Sequence, residues 1–169
     1  MKTAYIDVDT QIDFVFPAGS LYVPGAERIL SRVGELNRQA MAGGHLLIAT
    51  TDAHSENDVE FQSWPHHCVA GSLGQRKAAE TITDGAILIE KQQLDCFTNP
   101  KMEALLKAHE ITDAIVYGVV TELCLLHAAR GLMDRGIRVQ IAADAAKELS
   151  ATARDLFFEE VRARGGRIG

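Results

Sequence analysis

Short apolar runs alternate with amphipathic stretches from one end of the chain to the other. Five runs read as strands: Ala4–Val8, Leu46–Thr50, Ala86–Ile89, Ala114–Val119 and Val139–Ala142, with a sixth, shorter one at Arg167–Ile168. None shows strict polar/apolar alternation, which is the pattern of parallel strands covered on both faces. Between the runs the apolar spacing becomes helical. One helix is expected from Pro24, carrying Ile29, Leu30, Val33, Leu36 and Met41 and closed by Gly43-Gly44. Others are expected at Pro100–His109, at Glu122–Arg135 before Gly136, and from Ser150 through Ala153, Leu156, Phe157 and Val161 to Gly165-Gly166. This alternation predicts an α/β fold with three α/β/α layers around a parallel sheet, in a single domain over 1–169. Thr51–Arg76 breaks the pattern. It is rich in His, Asp, Glu, Trp and Pro, and a loop of that length in a compact domain usually carries function.

Ligands of open parallel sheets bind beyond the carboxyl ends of the strands. Those ends carry Asp9 and Asp13, then Asp52 and His54, then Glu90 and Lys91, then Thr121, Glu122 and Cys124, and finally Asp144. Reactive side chains at five successive ends imply one site.

Composition narrows the partners. The net charge of −6 and the lack of a basic stripe argue against nucleic acid. Asp7 and Asp9 interrupt the N-terminus before a signal-peptide core forms, and no window approaches a membrane span. Three cysteines make a disulfide framework improbable, so a reducing cytoplasm is expected and the thiols are free for chemistry.

Of the three thiols, Cys124 opens a helix after a strand. There the unpaired backbone N–H groups and helix dipole would lower its pKa and could hold an oxyanion, although a small buried hydrophobe is the alternative. Cys68 follows His67 in the long loop, where the two side chains point apart, and Cys96 has no strand-to-helix turn beneath it. Near such a thiol, Asp9 could take its proton and later protonate a leaving amine. Lys91 could keep Asp9 ionised or be a solvated lysine at a strand end. Asp13 reads as a turn-capping residue.

Asp52, His54, Glu60 and His67 offer two imidazoles and two carboxylates, a mixed N/O set suited to divalent Zn, Mn or Fe, or else an ordinary hydrophilic loop. His66 would point elsewhere. Phe14 and Trp64 could bracket a planar substrate or simply anchor loops.

Taken in order, these segments resemble the isochorismatase-like cysteine hydrolases, and within them the nicotinamidase branch. The resemblance rests on Val8-Asp9-Thr10-Gln11-Ile12-Asp13-Phe14, Gly19-Ser20-Leu21, Val23-Pro24-Gly25-Ala26 and Thr51-Asp52-Ala53-His54. It continues through Trp64-Pro65-His66-His67-Cys68-Val69, Lys91 and Gly118-Val119-Val120-Thr121-Glu122-Leu123-Cys124. It implies an Asp9–Lys91–Cys124 triad, a cis peptide between Val119 and Val120, and an oxyanion hole from the backbone N–H groups of Val120 and Cys124. It also implies a metal on Asp52, His54, Glu60 and His67 (zinc first, with Mn or Fe possible), a six-stranded sheet in the order 3-2-1-4-5-6, and a homo-oligomer. The implied reaction is hydrolysis of a small amide, nicotinamide foremost, through a Cys thioester. The rivals are a carbamoyl or ureido substrate, a vinyl-ether hydrolase, and a non-catalytic metal- or ligand-binding member. Two segments depart from the pattern: Glu122-Leu123 stands where many nicotinamidases have Asp-His, and Gln92-Gln93-Leu94-Asp95 replaces a small-residue stretch after Lys91.

Overall fold

The protein is described by a computed structural model covering residues 2–169. Its elements are β1 (Thr3–Val8), α1 (Ile12–Val15), α2 (Leu30–Ala42), β2 (Leu46–Asp52), β3 (Ile87–Lys91), α3 (Pro100–Ala108), β4 (Asp113–Val119), α4 (Leu126–Asp134), β5 (Arg138–Lys147), α5 (Ala151–Ala163) and β6 (Arg167–Ile168). The six strands form one sheet in the order β3-β2-β1-β4-β5-β6, every pair parallel.

Side chains of a strand alternate between faces, so β1 feeds two cores. Ala4, Ile6 and Val8 pack with Met102 and Leu106 of α3, Ala129 and Leu132 of α4, and Phe157 and Val161 of α5. Tyr5 faces the other way, with Leu30, Val33 and Leu36 of α2. The sheet is therefore covered on both faces, as the unbroken apolar runs of β1 and β2 require.

Several boundaries differ from expectation. The stretch after Pro24 first forms a 3-10 turn, Ala26–Ile29, entered through Gly25 at φ 86°, and only then the α-helix. Met41 and Leu156 (the latter 69% exposed) lie outside the core, because the true helical phase turns them to solvent. β3 is an edge strand, which leaves Leu88 51% exposed. β5 runs on to Lys147, past a register shift opposite Val116–Gly118 of β4. The stretch before α4 is a π-helical turn, Thr121–Leu125.

Gly118 explains how the site is drawn together. Its φ is 113°, and a Cβ there would stand 2.1 Å from the carbonyl oxygen of Val8. Only glycine lets β4 pass that close to the end of β1, and so Asp9 comes to lie beside the turn that carries Cys124.

Candidate active site

Asp9 is the first residue beyond β1 and adopts a left-handed conformation, φ 50°. It is fully buried, accepts a 2.6 Å hydrogen bond from Thr50 Oγ1, and its Oδ2 lies 2.8 Å from Lys91 Nζ. Lys91 ends β3 and is buried as well. Its ammonium also pairs with Asp52 Oδ1 and stands 3.6 Å from Cys124 Sγ. Cys124 sits in the π-helical turn, where the amides of Leu123 and Leu125 both close on the carbonyl of Val120. The peptide between Val119 and Val120 is cis.

Four ionisable groups packed this closely set one another's protonation. Burial raises the pKa of Asp9, and Lys91 only partly offsets it. Burial works against ionised Asp52 too, but Lys91 and His54 outweigh it and hold Asp52 below the usual carboxylate range. Lys91 stays protonated: burial opposes its charge, yet Asp9, Cys124 and Asp52 raise its pKa well above normal. The Cys124 thiol is pushed up, first by burial and then by Asp9 and Asp52, with Lys91 pulling the other way. The expectation of a thiol acidified by its helix terminus is thus corrected. Burial and the two carboxylates favour the thiol over the thiolate.

Beside this group lie Asp52, His54 and His67, whose nitrogen and oxygen atoms converge within 4.8 Å of one another. Asp52 Oδ2 is 3.6 Å from His54 Nε2 and 3.9 Å from His67 Nε2, and Glu60 Oε1 is 3.9 Å from His67 Nε2. The outer nitrogens are committed elsewhere: His54 Nδ1 lies 3.0 Å from Asp58 Oδ2, and His67 Nδ1 lies 2.7 Å from the Pro65 carbonyl. A carbonyl can only accept, so His67 Nδ1 carries a proton and its Nε2 presents a lone pair in the neutral ring. His54 Nε2 is buried with no hydrogen-bond partner. An inward-aimed, unpartnered imidazole nitrogen among carboxylates, with its far side held by a carboxylate, fits a divalent metal.

Without metal, burial opposes protonation of His54, but Asp52 and Asp58 raise its pKa from 6.5 to about 9. A folded-state pKa above the unfolded one gives stability that is complete below pH 6.5 and lost as pH rises through about 9. Chelator-treated protein should therefore lose on the order of 5 °C in Tm between those limits, a trend that differential scanning calorimetry would reveal.

The aromatic candidates both line an apolar cleft that also reaches Asp9 and Cys124. Phe14 stands 5.5 Å from the His67 ring, centroid to centroid, while His66 stacks on Phe61 instead. Asp13 accepts hydrogen bonds from the Ser20 and Cys68 amides and ties the long loop to α1. Cys68 and Cys96 are buried, and desolvation pushes the Cys96 thiol to about 12.

Two contributors escaped the sequence. Asp58, behind His54, could have been noticed as the residue capping the turn that bears Glu60. Gln11 grips the Asp52 backbone from both sides, accepting from its amide at 2.7 Å and donating to its carbonyl at 2.8 Å. Its place between Asp9 and Asp13 was the available signal.

A sequence model of the isochorismatase domain matches residues 3–169. The chain belongs to the isochorismatase family. Among solved structures, this family member is similar to a Pyrococcus horikoshii pyrazinamidase in complex with zinc, with a TM-score of 0.93, 29% identity, and 100% and 99% of the two chains covered. In sequence it is 24% identical to the Mycobacterium tuberculosis nicotinamidase/pyrazinamidase, over 94% of each protein. It is 22% identical to the Saccharomyces cerevisiae nicotinamidase, over 89% of each.

Proposed function

We propose that this isochorismatase-family enzyme is a cysteine amidohydrolase that cleaves the C–N bond of a small uncharged amide, nicotinamide being the substrate, to give the acid and ammonia. The observation that carries this reading is the meeting of the Asp9 carboxylate, Lys91 ammonium and Cys124 thiol, with Asp9 and Cys124 lining an apolar cleft. Similarity to nicotinamidases supports the choice of amide.

Asp9, which shares the Lys91 ammonium with the thiol, takes the thiol proton as sulfur attacks the amide carbonyl. Burial raises the proton affinity of both groups. The oxyanion rests on the backbone N–H groups of Val120 and Cys124. Asp9 then gives its proton to the departing nitrogen, ammonia leaves, and a water attacks the thioester while Asp9 again serves as base; the C–S bond then breaks, the acid departs and Asp9 returns the proton to the sulfur. Lys91 remains a fixed cation that compensates whichever of Asp9 and Cys124 is anionic. A divalent metal on Asp52, His54, Glu60 and His67, zinc foremost, would supply a Lewis acid facing the cleft.

The substrate's charge follows from the cleft wall. Among the described residues, no Lys or Arg lines it, whereas Asp9, Asp52 and Glu60 do. A carbamoyl amino acid would bring its carboxylate against these acidic side chains with no Lys or Arg on the wall to pair with it, and a poorly paired buried charge is costly. A ring amide lies against Phe14 and Trp64 without that cost. Ammonia release measured across nicotinamide, pyrazinamide and N-carbamoyl amino acids tests the reading; turnover confined to the carbamoyl compounds would refute it.

The metal assignment has its own check. Asp58→Asn weakens the hold on the His54 ring and should lower zinc affinity about 10- to 100-fold, read by competition against a chromogenic chelator. Unchanged affinity would remove His54 from the ligand set.

A further inference from the structure

Glu122 belongs to the turn that carries Cys124, yet its side chain points away from the thiol. Its Oε1 accepts from the amides of Leu149 and Ser150, at 2.9 and 2.7 Å. Ser150 is the N-cap of α5, its hydroxyl accepting from the Ala153 amide at 3.2 Å. A carboxylate is well placed there, facing open N–H groups and the positive end of the helix dipole.

The consequence lies at the mouth of the cleft. β5 is paired with β4 up to Lys147, after which the chain leaves the sheet. The two following bonds just named both end on Glu122, which therefore staples the free segment to the Cys124 turn. Leu149, 50% exposed, is carried on that segment and lines the cleft, as does Leu123 beside Glu122. Glu122-Leu123 is also where the chain departs from the pattern its other segments follow.

We propose that Glu122 is a positioning residue that holds Leu149 over the cleft mouth, and that Leu149 and Leu123 limit the site to a single six-membered ring. The proposal rests on the amidase reading above and names the size of substrate it admits. A leucine held on the rim adds apolar contact to a small ring and obstructs a fused one. Neither residue touches the reacting atoms, so the effect falls on binding.

The test compares E122A, E122Q and L149A with the unmodified, zinc-loaded enzyme, using nicotinamide and the fused-ring quinoline-3-carboxamide. E122A and L149A should raise KM for nicotinamide about tenfold while kcat stays within about twofold. Both should gain in relative kcat/KM on the fused ring. E122Q keeps the accepting oxygen and should return KM to within about twofold of the starting value. An unchanged KM in E122A overturns the proposal, as does a loss confined to kcat, which would mean that Glu122 acts through the Cys124 turn. If the unmodified enzyme releases no ammonia from any amide, the amidase reading fails, and calorimetric Kd values for nicotinamide decide the inference separately. There, weaker binding to E122A supports it, while equal binding or none at all overturns it.

Discussion

Cys124→Ala should lose about 10⁴-fold or more in ammonia release, because the thiol proposed to form the covalent bond is gone and nothing nearby can replace it. The only other thiols, Cys68 and Cys96, are buried. Cys68 accompanies the long loop, and Cys96 packs in the core against Met102 and Leu106. The same substitution removes one buried sulfur from a packed environment, so stability should fall by about 1 kcal/mol and the fold persist. Single-turnover kinetics with nicotinamide, together with a melting curve, separates the two effects. A folded variant that keeps even about 1% of turnover would rule out the thioester. Cys124→Ser sharpens the result: an alcohol gives up its proton far less readily than a thiol, so Asp9 cannot generate the nucleophile, and the loss should approach that of alanine.

Lys91→Met is the second large effect, and it bears on stability as much as on chemistry. The ammonium lies between Asp9 and Asp52, all three buried. Removing it leaves two carboxylates facing one another without a cation, and breaking a buried pair this way costs about 3–5 kcal/mol. Activity should fall with it if, as proposed, Lys91 compensates the negative charge that passes between Asp9 and Cys124. The pH dependence has a definite sign. Without Lys91, the already raised pKa of Asp9 climbs further above its unfolded value of 3.8. Stability from a raised carboxylate pKa is present at low pH and lost as pH rises through the folded value. Denaturant titrations should therefore show the variant further below the unmodified protein at pH 8 than at pH 5. A deficit that does not change with pH would mean that Lys91 contributes packing rather than charge.

These effects involve residues the chain keeps far apart. Asp9, Lys91 and Cys124 come from the ends of β1, β3 and the turn after β4, and only the strand order sets them side by side. Most of the strand map was readable because unbroken apolar runs leave little choice about burial. The exceptions have local causes. Leu88 belongs to an apolar run, but nothing in the run says that its strand lies at the edge. Leu156 follows the helical spacing closely enough to look inward, and only packing against the sheet decides the phase of the last turn.

That Asp52, His54 and His67 come together was legible as a cluster of residue types on one stretch of chain, because Asp-x-His leaving a strand is local geometry. Asp58 and Gln11 were not, since each acts through hydrogen bonds to a partner that the sequence leaves unspecified. The protonation of Cys124 was misjudged for the same reason. A helix terminus is visible in sequence, but the burial and the two carboxylates that outweigh it are not.

By itself, then, the sequence determined which segments must be buried, hence the layered α/β arrangement, and which reactive side chains stand at the strand ends. Both follow from short-range rules, in which apolar side chains leave water and turns expose what they carry. The tertiary structure alone decided which of those side chains lie side by side, that Glu122 accepts from the amides of Leu149 and Ser150, and that Lys91 answers to two carboxylates at once. Charge interactions depend on distance and desolvation, and neither exists until the strands are in order.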